Sequence, residues 1–107
     1  MDTKIKDPNV DYLVSALLKL KTRDECHRFL EDLFTVQEVK AISQRLVVAQ
    51  MLCDQWVYND IVEKTGASTA TISRVNRSFN YGHGGYQLVF DRMTAEDRAV
   101  LPKRDQE

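Results

Sequence analysis

Residues 68 to 77 carry side chains that suit contact with the base edges of DNA. Small hydroxyl and methyl side chains allow a helix to enter the major groove, and arginine can bind O6 and N7 of guanine. Arginine can equally hold phosphates, which positions a helix without specifying sequence. No acidic residue that would repel phosphates occurs between Ser68 and Phe90. The candidate DNA-binding residues are Ser68, Thr69, Ala70, Ser73, Arg74 and Arg77.

The spacing of this segment predicts a helix with one apolar and one polar face. At about 100° per residue, Ile72, Val75 and Phe79 fall on one side of the helix, where they can pack against another element. The small residues and Arg77 fall on the opposite side, with Arg74 at its flank. The alternative is an ordinary amphipathic surface helix of low charge.

A shorter helix precedes this one and completes a helix-turn-helix pattern. The segment 59–64 has helical spacing, with Ile61 and Val62 turned inward. Gly66 can adopt the left-handed conformation that ends a helix and turns the chain. Ser68 offers an N-cap hydroxyl to the helix that follows. Two short helices joined by a tight glycine-containing turn are typical of helix-turn-helix DNA-binding proteins.

The longest predicted helix lies upstream and runs from Thr35 to Trp56 without glycine or proline. Thr35 and Glu38 have the spacing of a capping box, which marks its start. Apolar residues spread around this helix, and a helix that is apolar on all sides must be buried. A chain of 107 residues has little material to cover it. The pattern therefore favours a dimer, and the alternative is a central core helix in a monomer.

The remaining pattern predicts further helices and no strand, so the expected fold class is all-α. A first helix starts near Asp7 and Pro8, and Thr22 caps a second one. Thr94 caps a short last helix, and the glycine-rich segment 81–86 is predicted to be a flexible joint. We expect one helical domain over 1–107, divided into dimerisation helices 8–56, a helix-turn-helix 57–79 and a C-terminal helix region 87–101.

Composition limits the classes of function that this chain can have. Hydrophobic residues make up 43% and charged residues 29% of the chain, which favours a globular protein over a disordered one. The net charge of −1 means that any binding to nucleic acid must depend on a local basic patch. No pairing of a nucleophile with a base is apparent, so we do not expect an enzyme.

Other features predict a cytoplasmic protein without metal or cofactor. Cys26 and Cys53 match no metal-binding spacing, and we expect both to be buried thiols in a reducing compartment. The longest apolar run, 46–49, is far too short to cross a membrane. The first residues show no apolar core typical of a secretion signal.

Residues 34 to 78 resemble the Trp repressor family, and the best fit is its smaller YerC/YecD-type branch. The resemblance is carried by Thr35, Arg45, Ser78 and the run KTGASTATISR from Lys64 to Arg74. It implies an intertwined all-helical homodimer with two helix-turn-helix units. Such a dimer would bind a palindromic operator on double-stranded DNA, with half-sites about one helical turn apart. The implied role is transcriptional regulation, with repression as the expected sign.

The resemblance also implies an effector site between the central helix and the recognition helix. The matching positions are Thr35, Arg45, Arg74 and Ser78, and all four keep the residue type of the repressor. Val75, however, stands where the repressor has glycine, and its branched side chain would occupy space needed by an indole. This departure argues against tryptophan as corepressor. A smaller amino-acid-like effector and the absence of any effector remain as alternatives.

A second class of function fits the same segment. The small-residue face of residues 68–77 could bind a protein, and the dimer would then be an adaptor without specific DNA binding. Salt dependence separates the two, because counterion release makes DNA affinity fall steeply as salt rises.

Overall fold

The computed structural model describes residues 7–105, and this range contains helices only. The expected all-α fold class is confirmed. The helices, in chain order, are α1 (Pro8–Leu17), α2 (Arg23–Leu33), α3 (Val36–Cys53), α4 (Tyr58–Thr65), α5 (Thr69–Tyr81), α6 (Gly85–Arg92) and α7 (Ala95–Arg98). No helix of the described range is both long and apolar enough to cross a membrane.

The chain separates into two compact units, with the division after Lys40. In the first unit, α1 and α2 begin at the predicted caps. Asp7 Oδ1 accepts a hydrogen bond from the Val10 N–H at 2.9 Å, and Thr22 Oγ1 accepts one from the Glu25 N–H at 3.1 Å. Neither helix contains a buried residue, and Leu17 and Leu33 are 45% and 48% exposed.

Both cysteines differ from the expectation of buried thiols. Cys26 is exposed, and it lies on α2, a helix without a buried residue. Cys53 is only half-buried, and desolvation is the main cause that raises the pKa of its thiol. The prediction that both thiols are buried is therefore wrong.

The second unit contains the hydrophobic core. Its buried apolar residues come from α3, α4, α5 and α6 and from the turns between them. They are Val48, Ala49, Met51, Trp56, Ile61, Ala67, Ile72, Val75 and Phe90. The helix-turn-helix segment thus shares one core with the second half of α3, which fixes the orientation of α5.

The central helix starts as predicted and ends earlier. Thr35 and Glu38 form the full capping box, with bonds of 2.9 and 3.1 Å between side chain and backbone. At the other end α3 stops at Cys53, three residues before the predicted end. Gln55 takes a left-handed φ of 66°, and the Trp56 N–H donates to the Met51 carbonyl at 3.0 Å. This arrangement is a Schellman motif, which sequence reasoning missed because glutamine stands where glycine is usual.

The glycine-rich segment is shorter than predicted. Gly82 ends α5, and a Cβ atom at this position would collide with the Ser78 carbonyl oxygen, so glycine is required. Already at Gly85 the chain enters α6, two residues before the predicted helical region. Tyr86 then stacks on Phe90 with ring centres 5.8 Å apart. The last helix, α7, carries the full capping box of Thr94.

Candidate nucleic-acid interface

The helix-turn-helix pattern is present where the sequence predicted it. Gly66 ends α4 with a φ of 74°, in the left-handed region. The Thr65 hydroxyl donates to the Ile61 carbonyl at 2.7 Å and accepts from the Ala67 N–H at 3.1 Å. These bonds hold the turn in one conformation, so the angle between α4 and α5 is set by local chemistry as well as by the core.

A contact from α3 supports the same turn. Gln44 Nε2 donates to the Thr65 carbonyl at 3.3 Å. This carbonyl lies in the last turn of α4, where backbone acceptors have no partner inside the helix. The bond therefore connects the central helix to the turn between α4 and α5.

The two faces of α5 have the predicted burial. Ile72 is fully buried and Val75 is 4% exposed, so both pack in the core behind the helix. Phe79 is half-buried against the rings of Tyr86 and Phe90. All six candidate DNA-binding residues are exposed, namely Ser68, Thr69, Ala70, Ser73, Arg74 and Arg77.

Ser68 has a structural task in addition to its predicted one. Its hydroxyl oxygen accepts from the Thr71 N–H at 3.1 Å, and the hydroxyl also lies 3.0 Å from Thr71 Oγ1. The predicted N-cap of α5 is thereby confirmed. Because its oxygen already accepts the capping bond, Ser68 is less available to a base or a phosphate than the other five exposed residues.

A cavity of about 310 Å³ lies beside α5 within the second unit. It brings together three of the four candidate effector residues, Arg45, Arg74 and Ser78. Thr35 is not among its lining residues, and the hydroxyl of Thr35 caps α3 in the first unit. None of the side chains that line the cavity is acidic, and two of them are guanidinium groups.

Sequence reasoning missed part of this lining. Ala41 lies one turn before Arg45 on α3, so helical spacing could have found it. Gln44 directly precedes Arg45, and spacing along one helix face does not identify it. Thr71 lies one turn before Arg74 on α5 and could have been found from helical spacing as well. Tyr86 follows the glycine-rich segment, and no local pattern connects it to α3.

Val75 forms part of the cavity wall and does not fill the cavity. Its side chain is buried and belongs to the core, as the helical spacing predicted. Residues 7–105 contain no group of three His, Cys, Asp or Glu side chains that could hold a metal ion.

The chain is similar to known proteins over most of its length. The family model described as Trp repressor protein matches residues 8–94. The chain is 46% identical to the uncharacterized protein YerC of Bacillus subtilis (strain 168) over 90 aligned residues. The alignment covers 84% of this chain and 86% of YerC.

Two solved structures share both fold and sequence with this chain. A TrpR-like protein from Eubacterium eligens ATCC 27750 is 50% identical, with a TM-score of 0.81 over 95% of this chain and 100% of that one. A Staphylococcus aureus protein provisionally described as a Trp repressor is 45% identical, with a TM-score of 0.81 over 85% of this chain and 91% of that one. With its helix order, its helix-turn-helix and these similarities, the chain belongs to the Trp repressor family.

Proposed function

We propose that this protein is a cytoplasmic transcriptional regulator, with repression as the expected sign, that binds a palindromic DNA operator as a helix-turn-helix homodimer. The observation that carries the proposal is the exposed face of α5. This face presents Thr69, Ala70, Ser73, Arg74 and Arg77 without an acidic neighbour on the helix. Small side chains permit entry into the major groove, and the two arginines supply contacts to guanine or phosphate.

The structure behind α5 supports the same function. Ile61 of α4 and Ile72 of α5 are both fully buried in one core with α3. A recognition helix must be held rigidly, because its first residues contact base edges while the preceding helix crosses the DNA backbone. The cap at Ser68 and the bonds of Thr65 fix the start of α5, which is the end expected to contact bases.

The dimer is supported by apolar surface that one chain leaves open. No residue of α1 or α2 is buried, and Leu18 is 79% exposed. In the second unit Ile42 and Leu46 of α3 are 41% and 39% exposed. Exposed apolar surface of this extent is typical of an interaction site. A second copy of the chain would cover it and would supply the second half-site contact that a palindrome requires.

For the effector, we propose that the cavity beside α5 binds a small amino-acid-like ligand through its carboxylate. Arg45 and Arg74 can hold a carboxylate by charge-assisted hydrogen bonds, and the Ser78 hydroxyl can bind a further polar group. The hydroxyl of Thr35 already caps α3, so the proposal rests on the other three candidate residues. The side chain of Val75 forms part of the wall and narrows the cavity, which favours a ligand smaller than tryptophan.

Selection of genomic DNA fragments by the purified protein tests the proposed function. The selection is made at about 150 mM salt, near physiological ionic strength. It is run without ligand, with tryptophan, and with a mixture of the smaller amino acids. We expect a palindrome to be enriched. Enrichment in one arm alone would identify an effector, and equal enrichment in all arms would remove the effector from the proposal.

The same purified protein separates DNA binding from the adaptor function. No enrichment in any arm, together with an affinity for duplex DNA that is weak and insensitive to salt, would contradict DNA binding. A protein adaptor using the face of α5 would then be the better interpretation, because contacts between small apolar residues release few counterions.

A further inference from the structure

Residues 102–105, here called the strap, lie against the ends of two helices that position α5. The strap begins directly after Leu101 and includes one proline and three charged residues. Contacts to both helix ends come from adjacent residues, Arg104 and Asp105. They reach the turn after α3 and the last turn of α4, respectively.

Arg104 anchors the strap at the end of α3. Its Nη2 atom donates to the Asp54 carbonyl at 2.7 Å. Its guanidinium carbon lies 4.7 Å from the ring centre of Trp56, within the range of a cation–π interaction. Trp56 is only 9% exposed, so the guanidinium covers a core residue. Two contacts of different kinds hold this arginine, and they limit where its neighbour Asp105 can lie.

Asp105 in turn pairs with α4. Its Oδ1 atom lies 2.9 Å from Lys64 Nζ, and the carboxylate remains 82% exposed. This hydrogen bond is the main cause that raises the pKa of Lys64, with smaller contributions from the charges of Asp105, Glu63 and Asp60. Lys64 is therefore a cation at any physiological pH, and in the free protein its charge is partly neutralised.

Lys64 matters because it is the one cation in the sequence of α4, YNDIVEKT. The first helix of a helix-turn-helix crosses the DNA backbone, where a lysine can hold a phosphate. Lys64 lies in the last turn of α4, directly before the turn that leads into α5. A phosphate of DNA bound to α5 and the carboxylate of Asp105 are thus both anionic partners for the same ammonium group.

We propose that the strap is an internal competitor of DNA, in which Asp105 occupies Lys64 and must release it before Lys64 binds a phosphate. The inference rests on the proposed DNA binding and adds a regulatory contact to it. Any modification or partner that lifts the strap from Trp56 would then strengthen DNA binding. The pair is solvent-exposed, so the competition is a modest adjustment of affinity and not an on–off switch.

The test compares Asp105→Asn with the unaltered protein on a random-sequence duplex, because binding to phosphates does not need an operator. Affinity is measured by fluorescence anisotropy between about 50 and about 200 mM salt. We expect Asp105→Asn to bind roughly 2- to 5-fold more tightly at the lowest salt, the range that an exposed ion pair can contribute. The slope of log affinity against log salt should steepen by up to about one, the contribution of one phosphate contact.

Two further variants make the result specific. Glu96→Gln removes one negative charge from an exposed position on α7 and controls for net charge. Lys64→Met removes the proposed target of the competition. We expect the gain from Asp105→Asn to exceed that of Glu96→Gln, and to fall to the level of that control when Lys64 is methionine.

The outcomes separate the two proposals. If the unaltered protein binds duplex DNA with a steep salt dependence while Asp105→Asn matches Glu96→Gln, the competition is wrong and the proposed function stands. A gain that persists fully in the Lys64→Met background would also contradict the competition. If neither the unaltered protein nor any variant binds duplex DNA at about 50 mM salt, the proposed function is wrong and this inference falls with it.

Discussion

Arg98 Nη2 lies 2.6 Å from Asp54 Oδ2 and so connects α7 to the turn that follows α3. The other carboxylate oxygen of Asp54 accepts from Gln50 Nε2 at 3.2 Å. Gln50 is only 5% exposed, which makes Asp54 the acceptor for a buried amide as well as the partner of Arg98. Loss of the bond to Gln50 and loss of the ion pair with Arg98 should lower the free energy of unfolding by different amounts.

We expect Asp54→Ala to lower the free energy of unfolding more than Arg98→Ala does. Loss of Asp54 leaves a buried amide without this acceptor, which costs about 1–3 kcal/mol. Loss of Arg98 removes one partly exposed ion pair, worth about 0–1 kcal/mol. Urea unfolding followed by circular dichroism measures both values, and an equal or reversed order would show that the bond to Gln50 contributes little.

Replacement of Arg77 tests the orientation of α5 on DNA. Arg77→Ala should weaken operator binding by about 1–3 kcal/mol and relax sequence preference if the guanidinium reads a base. If it holds a phosphate, affinity should fall equally for all sequences. Binding is measured on the selected operator and on random DNA of equal length.

The control for Arg77→Ala is Arg92→Ala, which removes the same charge from the exposed end of α6. It should change affinity only slightly and without regard to sequence. Unchanged binding by Arg77→Ala on both DNAs would mean that this side of α5 does not face DNA.

The capping box of α3 predicts a dependence of stability on pH. Hydrogen bonds from Thr35 lower the pKa of Glu38 below its ordinary value of 4.5. A lowered carboxyl pKa contributes stability above the unfolded pKa, and this contribution is lost as pH falls through the folded pKa. The melting temperature should therefore fall between about pH 6 and pH 3, and it should fall less in Glu38→Gln than in the unaltered protein.

Thr35 itself provides the matched comparison. Thr35→Ala should cost about 0.5–2 kcal/mol because the N-cap acceptor is removed, whereas Thr35→Ser should keep most of it. Equal melting temperatures of the alanine and serine variants would contradict the importance of this cap.

Gln55 offers a substitution that should stabilise the protein. Its φ of 66° lies in the left-handed region that glycine adopts without steric cost. Gln55→Gly should raise the free energy of unfolding by up to about 1 kcal/mol. Gln55→Val, which places a branched side chain at this φ, should lower it. If both variants have the same stability, the conformation at this position is not strained.

The helix-turn-helix could be predicted closely because its signals are local. Gly66 and Ser68 carry the conformational and capping information within the turn itself. The period of apolar residues then identifies the buried side of α5, including Ile72 and Val75. Each of these signals acts within a few residues, so one sequence suffices to read them.

The features that the sequence did not reveal depend on distant residues or on an unusual residue type. The end of α3 was missed because Gln55 adopts a conformation that usually marks glycine. Two contacts join segments that are far apart in the chain: Tyr86 lines the cavity beside α5, and Arg104 packs on the ring of Trp56. Such contacts have no local periodicity, and they become visible only when the chain is folded.

The position of Trp56 beneath Arg104 also gives the protein an intrinsic optical probe. Trp56 is the single tryptophan of the chain, so its emission comes from one environment. A guanidinium group 4.7 Å from the ring centre alters the polarity and solvent access that the indole experiences. The emission wavelength of the unlabelled protein should therefore follow the position of the strap directly, even at a step where no other part of the molecule moves.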